Sequence, residues 1–335
     1  MYKRQVLAGI TTDSISKYLI VNGFDRGSTG NTYDFIRQHA SAIWNDTITF
    51  SSATNDAVLD GLVDLDSYPA LDYILGEEST VDETFDYDEQ DLIEDYLDNG
   101  GYLFVSGAEI GWDLDLQGTP QDGEFYNNYL KAFYVADAPD NVSSTYYEVF
   151  SLGNGLLDTL SLTSFDDGTN GTYNVGYPDV MLGTTGGIEI LGYNGVVNQS
   201  AGVFFEGRFP GASIQDTGKI VHFGFPFETV YPASKRLTII AEINDFFFPK
   251  VDGSTTGLNA IDLTRQIVVY PNPVNDLLYF SAPINEAQLF DLQGKLLISK
   301  MDVSLLDLRA LGTGTYILKL TDNQQVVQKK IQVIH

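Results

Sequence analysis

Apolar and polar positions along the first 250 residues follow two different periods. Lys17-Tyr18-Leu19-Ile20-Val21-Asn22-Gly23 is a continuous apolar run ended by glycine, the pattern of a strand buried on both faces. Tyr33 to Trp44 places Phe35, Ile36, His39, Ala40 and Ile43 on one stripe and predicts an amphipathic helix. A second short apolar run covers Leu71 to Gly76. The clearest helix follows it. Asp86 and Glu89 have capping-box spacing, Leu92, Ile93, Tyr96 and Leu97 form a stripe, and Asn99-Gly100-Gly101 supplies the stop. Tyr102 to Gly107 then reads as another fully buried strand.

From about residue 134 to 216 the pattern changes to short alternating runs such as Thr145 to Phe150 and Ala201 to Phe205, separated by Asp166-Asp167-Gly168 and Asn170-Gly171 turns. This predicts an antiparallel insertion. Strand Lys219 to Gly224 and a helix with the stripe Leu237, Ile240, Ala241, Ile243, Phe246 and Phe247 resume the earlier pattern. Strands alternating with helices predict a doubly wound α/β domain over residues 17–248. A polar, glycine-containing linker covers 249–263, and residues 264–335 carry strand runs with tight turns, predicting a small all-β immunoglobulin-like sandwich.

Charge divides the chain at the same place. Residues 264–335 hold seven basic and six acidic side chains, whereas the first 263 hold 11 basic and 40 acidic. A net charge of −28 repels phosphate backbones and excludes nucleic acid as a partner. Between Arg37 and Lys131 there are 22 acids and no Lys or Arg, a run best read as a solvated face. No stretch approaches the roughly 20 apolar residues of a membrane span. The chain has no Cys, which removes disulfides and every cysteine-nucleophile mechanism. Met1-Tyr2-Lys3-Arg4-Gln5 resembles a translated transposon-end sequencing adapter, so residues 1–16 are expected to be an artefact joined to the remnant of an upstream domain, in a metagenomic fragment.

Four segments follow the predicted parallel strands: Val21 to Arg26, Leu75 to Thr80, Val105 to Leu114 and Phe223 to Glu228. Together they resemble a class I glutamine-amidotransferase-like domain of extracellular bacterial proteins, of the kind named xanthan lyase or joined to cell-wall amidases. Because the carboxyl ends of parallel strands gather binding groups, Asp25, Arg26, Glu77, Glu78, Ser106, Glu109 and Glu228 are expected to approach one another. The family's reaction needs a thiol beside an imidazole. Here the turn offers Ser106, Ala108 or Glu109, and Phe225, in Phe225-Pro226-Phe227-Glu228, stands where histidine would serve. A Ser106–His222 hydrolase pair lacks the elbow sequence, and both His222 and His39 read as packed histidines.

The carboxylates Glu77, Glu78, Glu109, Asp113 and Asp115 are read first as a structural network on Arg26. They would otherwise suit acid–base sugar chemistry or Ca²⁺, although Asp113 to Gly118 is too short for an EF-hand loop. No other cofactor or metal is expected. Trp112 with Tyr126, Tyr129 and Tyr134 is the candidate carbohydrate cluster. Asp13-Ser14-Ile15, Asp46-Thr47-Ile48 and Asp158-Thr159-Leu160 fit a short O-glycosylation pattern resembling that of the same bacterial group.

The last segment carries Tyr270-Pro271-Asn272-Pro273, then Asp291-Leu292-Gln293-Gly294, Gly314-Thr315-Tyr316 and finally Lys329-Lys330. These motifs, in this order, resemble the type IX secretion C-terminal sorting domain. The resemblance implies export through that machinery and release or attachment at the cell surface. The expected function is therefore a secreted, non-catalytic module accessory to an upstream hydrolase or lyase and able to contact glycan or cell-wall polymer. A carboxylate-based lyase or hydrolase and an adhesin using the acidic face are the alternatives.

Overall fold

The computed structural model describes residues 16–26, 35–44, 48–81, 83–213, 216–249, 269–270, 274–291, 294–322 and 325–334. Met1 to Gln5, most of the expected linker, and Pro271, Asn272 and Pro273 lie outside them. The chain divides into two units after Lys250. In the first, β1 (Tyr18–Asn22), α1 (Ile36–Ile43), β2 (Phe50–Thr54), α2 (Asn55–Leu59), β3 (Ala70–Gly76), α3 (Tyr87–Asp98), β4 (Tyr102–Gly107), α4 (Pro120–Asn128) and β5 (Ala132–Ala136) come first. Then follow β6 (Glu148–Ser151), β7 (Thr163–Phe165), β8 (Val180–Gly183), β9 (Ile188–Tyr193), β10 (Ser200–Gly207), β11 (Gly218–Phe223), β12 (Val230–Tyr231) and α5 (Ala233–Phe247).

The apolar runs form the middle of the sheet, where β2, β1, β3, β4 and β11 lie side by side and parallel. Their period of two splits the core between the faces. Tyr18, Ile20, Ile74, Phe104 and Val221 pack with Ile239, Ile240 and Ile243 of α5, while Leu19, Val21, Tyr73, Val105 and Ile220 pack with Ile93, Tyr96 and Leu97 of α3. The start of α3 is fixed as its spacing predicts. Asp86 accepts the Glu89 N–H at 2.8 Å and Glu89 accepts the Asp86 N–H at 3.2 Å.

The expected doubly wound α/β domain is not what forms. The unit is mostly β, built on one twelve-stranded mixed sheet. The short strands read as an antiparallel insertion extend that sheet: β10 pairs antiparallel with β11, and β9, β6, β7 and β12 extend it outward, with β8 and β5 as a branch. A buried apolar strand looks the same in sequence whether its neighbour runs parallel or antiparallel, so β11 gave no sign of being a junction.

The second unit holds β13 (Val269–Tyr270), β14 (Leu277–Phe290), β15 (Leu296–Asp307), β16 (Gly314–Asp322) and β17 (Gln325–Val333). They form one five-stranded sheet in which β14 pairs with β13, β15 and β16. This replaces the expected sandwich: β14 runs as one strand over Leu277–Phe290, with a register shift between Tyr279 and Ile284. Leu278, Leu289, Leu306, Leu318, Leu320 and Ile331 form its core. No helix among the described residues is long and apolar enough to cross a membrane.

One polar contact joins three elements inside the first unit. His39 on α1 places Nδ1 2.8 Å from Asp72 Oδ2 on β3 and Nε2 3.2 Å from Glu228 Oε2, in the segment after β11. All three side chains are fully buried. Burial alone would lower the histidine's pKa, but the Asp72 charge and hydrogen bonds to both carboxylates raise it to about 9. Two carboxylates against both ring nitrogens fit an imidazolium that donates twice. Glu228 Oε1 also accepts from the Tyr173 hydroxyl at 2.5 Å.

A histidine whose folded pKa lies above its unfolded value near 6.5 stabilises fully below that value and loses the contribution as pH rises through about 9. Thermal unfolding of the wild type should therefore shift to lower temperature between about pH 6.5 and 9. His39→Leu removes the cation between two buried carboxylates and should cost about 3–5 kcal/mol at neutral pH in chemical denaturation. It should also lack that pH-dependent component. Equal stability of the two proteins at pH 7 would contradict this role.

Candidate functional site

The segments after β1, β3, β4 and β11 sit along one edge of the sheet. Glu78 Oε1 accepts the N–H groups of Asp25 and, at 2.6 Å, Arg26. Arg26 Nη1 donates to the Glu77 carbonyl at 2.6 Å. These contacts tie the β1 and β3 ends together through backbone groups. Glu77 itself is pushed up to about 7, chiefly by burial and then by the charge of Glu109, with Arg26 opposing. Glu109 is raised as well, by burial first and by the Asp137 charge second. It occupies the turn after β4 with a φ of +64°, a conformation sparsely populated by residues other than glycine.

Ser106 is buried, and its Oγ accepts the Phe227 N–H at 3.3 Å. His222 pairs in register with Val105, so strand alternation puts it on the opposite face of the sheet from Ser106. There its ring packs edge-on to Tyr126 at 5.6 Å, and Nδ1 lies 3.3 Å from the Leu130 carbonyl. Burial lowers its pKa to about 4, so it is neutral. These two residues cannot act as a nucleophile and its base.

The acids after Glu109 serve the fold. Asp113 Oδ2 accepts from the Thr84 N–H at 2.8 Å and the Thr84 hydroxyl at 2.7 Å. Asp115 accepts from Asn127 at 2.9 Å and from the Tyr134 N–H at 2.8 Å. Both acids lie on a single π-helical turn, Trp112–Gln117. Asp179, absent from the sequence reading, accepts the Gly111 N–H at 2.6 Å, and burial raises its pKa well above the usual carboxylate range. Among the described residues no group of three or more His, Asp or Glu side chains is arranged to hold a metal ion.

Beside this edge lies a groove of about 750 Å³, with Trp112, Phe133, Tyr134, Val135, Asp137 and Tyr177 among its lining residues. The Trp112 and Tyr134 rings meet at 6.3 Å and 66°. Of the aromatic cluster read from sequence, only these two reach the groove. Tyr126 is fully buried, and Tyr129 stacks between Phe125 and Phe209. Phe133 and Val135 alternate outward on β5 at 48% and 46% exposure, an apolar pair left uncovered. Asp137 is pushed up to about 6 by burial, and its Oδ1 is buried without a hydrogen-bond partner.

Asp72, Asp137 and Tyr173 were not singled out from the sequence, and Glu228, which was, was not paired with His39. One signal was available: Asp72 is a lone acid inside the apolar run 71–75, and a charge in a fully buried strand requires a partner. Asp137 carries no such mark.

In the second unit the motif residues build turns and pairing. The Gly294 N–H donates to the Asp291 carbonyl at 3.0 Å with a φ of +82°, and Asp291 Oδ1 accepts the Lys295 N–H at 2.8 Å. Tyr270 pairs with Tyr279. Gly314 begins β16, the Tyr316 hydroxyl donates to the Gly312 carbonyl at 2.8 Å, and Lys329 and Lys330 pair with Leu318 and Ile317.

Comparison with known proteins bears on the two units unequally. No matching family model supports the amidotransferase-like resemblance of residues 17–248. No curated protein matches the chain. A solved structure, the mmIFT52 N-terminal domain, is similar at 14% identity and a TM-score of 0.44, covering 70% of this chain and 98% of that chain. A likeness at that level carries no functional conclusion. Residues 268–334 match the model of the secretion system C-terminal sorting domain, which indicates export by the type IX secretion system and marks the protein as secreted or anchored at the cell surface.

Proposed function

We propose that the first unit is a non-catalytic recognition module, carried to the cell surface as an accessory to a hydrolase or lyase, and that it contacts glycan through the groove at Trp112. The observation that carries this reading is how the sheet-edge acids are used. Glu78, Asp113, Asp115 and Glu228 accept hydrogen bonds from backbone amides or from buried side chains, so they hold segments in place and are not free to move protons. The groove next to them has the composition of a small-ligand site, apolar and aromatic with a few polar groups, here Asp137, Asn141 and Ser143. Tyr177, 46% exposed, and Trp112 offer ring faces against which a pyranose packs by apolar contact.

One observation favours a hydrolytic alternative. Glu77, raised to about 7 beside Glu109, has the pKa of a general acid. In that case Glu77→Gln would abolish release of reducing ends from a polysaccharide that the wild type cleaves.

The recognition reading is tested by calorimetry of the full chain against a panel of soluble polysaccharides. At least one should bind, and Trp112→Ala should weaken it by about tenfold or more while leaving the unfolding temperature near that of the wild type. Binding of no polysaccharide, or equal binding by the variant, would overturn the proposal.

A further inference from the structure

We infer that the groove selects sugars carrying a free amine, such as de-N-acetylated hexosamines, with the Asp137 carboxylate receiving the ammonium group. This inference rests on the glycan reading above and specifies its ligand class.

Three observations carry it. Asp137 lines the groove, and its Oδ1 is buried without a donor from the protein. An ionised carboxylate only accepts hydrogen bonds, so a ligand lying in the groove against the half-buried Asp137 meets it with a donor, and a cationic donor makes the stronger bond. The second observation is the local charge. Glu109 lies close enough for the Asp137 charge to raise its pKa, and none of the residues lining the groove is basic. Lys131, just before β5, has its ammonium 4.2 Å from the centre of the Phe205 ring and 4.8 Å from that of Phe209. With 40 acids against 11 basic residues in the first 263, the field favours cations and repels uronate or sulfated polymers.

The third observation concerns the kind of occupant. A peptide would most simply add as a strand beside β5, but the Tyr134 N–H is already taken by Asp115 at 2.8 Å. What remains open is the aromatic and apolar surface around Trp112 and Tyr177, with Asn141 and Ser143 as partners for hydroxyl groups. That combination suits a sugar ring with one amine better than an extended chain.

The test is calorimetry of the full chain at pH 6.5, where Asp137 is largely ionised. The probes are a β-1,4-glucosamine tetramer, its fully N-acetylated counterpart, a galacturonate tetramer and a lysine-containing tetrapeptide of matched charge. The glucosamine tetramer should bind about tenfold or more tightly than the N-acetylated one. The uronate should not bind, and Asp137→Asn should remove the preference for the amine form over the N-acetylated form. Equal binding of the amine and N-acetyl forms overturns the inference and leaves the glycan reading standing. Binding of no sugar overturns both. Tighter binding of the peptide, or a preference that survives in Asp137→Asn, also overturns it. The comparison between ligands uses the wild type alone and holds even if the variant fails to fold.

Discussion

A single buried histidine sets the terms for the sheet edge. His39 lies between Asp72 and Glu228 with no exposure to solvent, and each ring nitrogen faces a carboxylate. Two buried acids this close to one another are tolerable only with a cation between them, because each would otherwise lack solvation and repel the other. The three side chains come from α1, β3 and the segment after β11, so one charge neutralisation fixes how a helix, a central strand and a terminal loop meet. Glu228 then passes the constraint on: its second oxygen holds the Tyr173 hydroxyl, and its backbone carbonyl faces the Arg236 guanidinium.

Once that anchor is in place, the carboxylates of this edge divide into two groups. Glu78, Asp113, Asp115 and Glu228 are committed to amides and buried donors. Glu77, Glu109 and Asp137 instead carry raised pKa values that come first from burial. Of the second group, Asp137 lines the groove, where aromatic surface is exposed, and its charge reaches Glu109. The proposed division of labour follows from this contrast between acids that hold the fold and Asp137, which faces the groove.

Much of the local structure was legible in the sequence. The strand runs 18–22, 71–76, 102–107 and 219–223 and the capping box of α3 depend on near-neighbour chemistry, which periodicity reports directly. The sheet as a whole was not. That Ala201 to Phe205 is the antiparallel neighbour of β11 in one continuous sheet depends on a pairing with another segment, which alternation alone does not report. His39 was hidden for a related reason: on its helix it looks like one more member of the apolar stripe, and only the buried Asp72 beneath it reveals a charge. In the sorting unit the turn motifs at Asp291 and Gly294 were plain, whereas the continuity of β14 through a register shift was not.

At the sheet edge His39 is an imidazolium held between two carboxylates and not a neutral packed ring. Nuclear magnetic resonance of the histidine side chains, with nitrogen-15 shifts followed from pH 5 to 10, reads this state directly. Both His39 nitrogens should keep imidazolium shifts through pH 8 and titrate near 9, with His222 neutral throughout. A His39 ring that titrates near 6.5, or that shows one unprotonated nitrogen at pH 7, would contradict it.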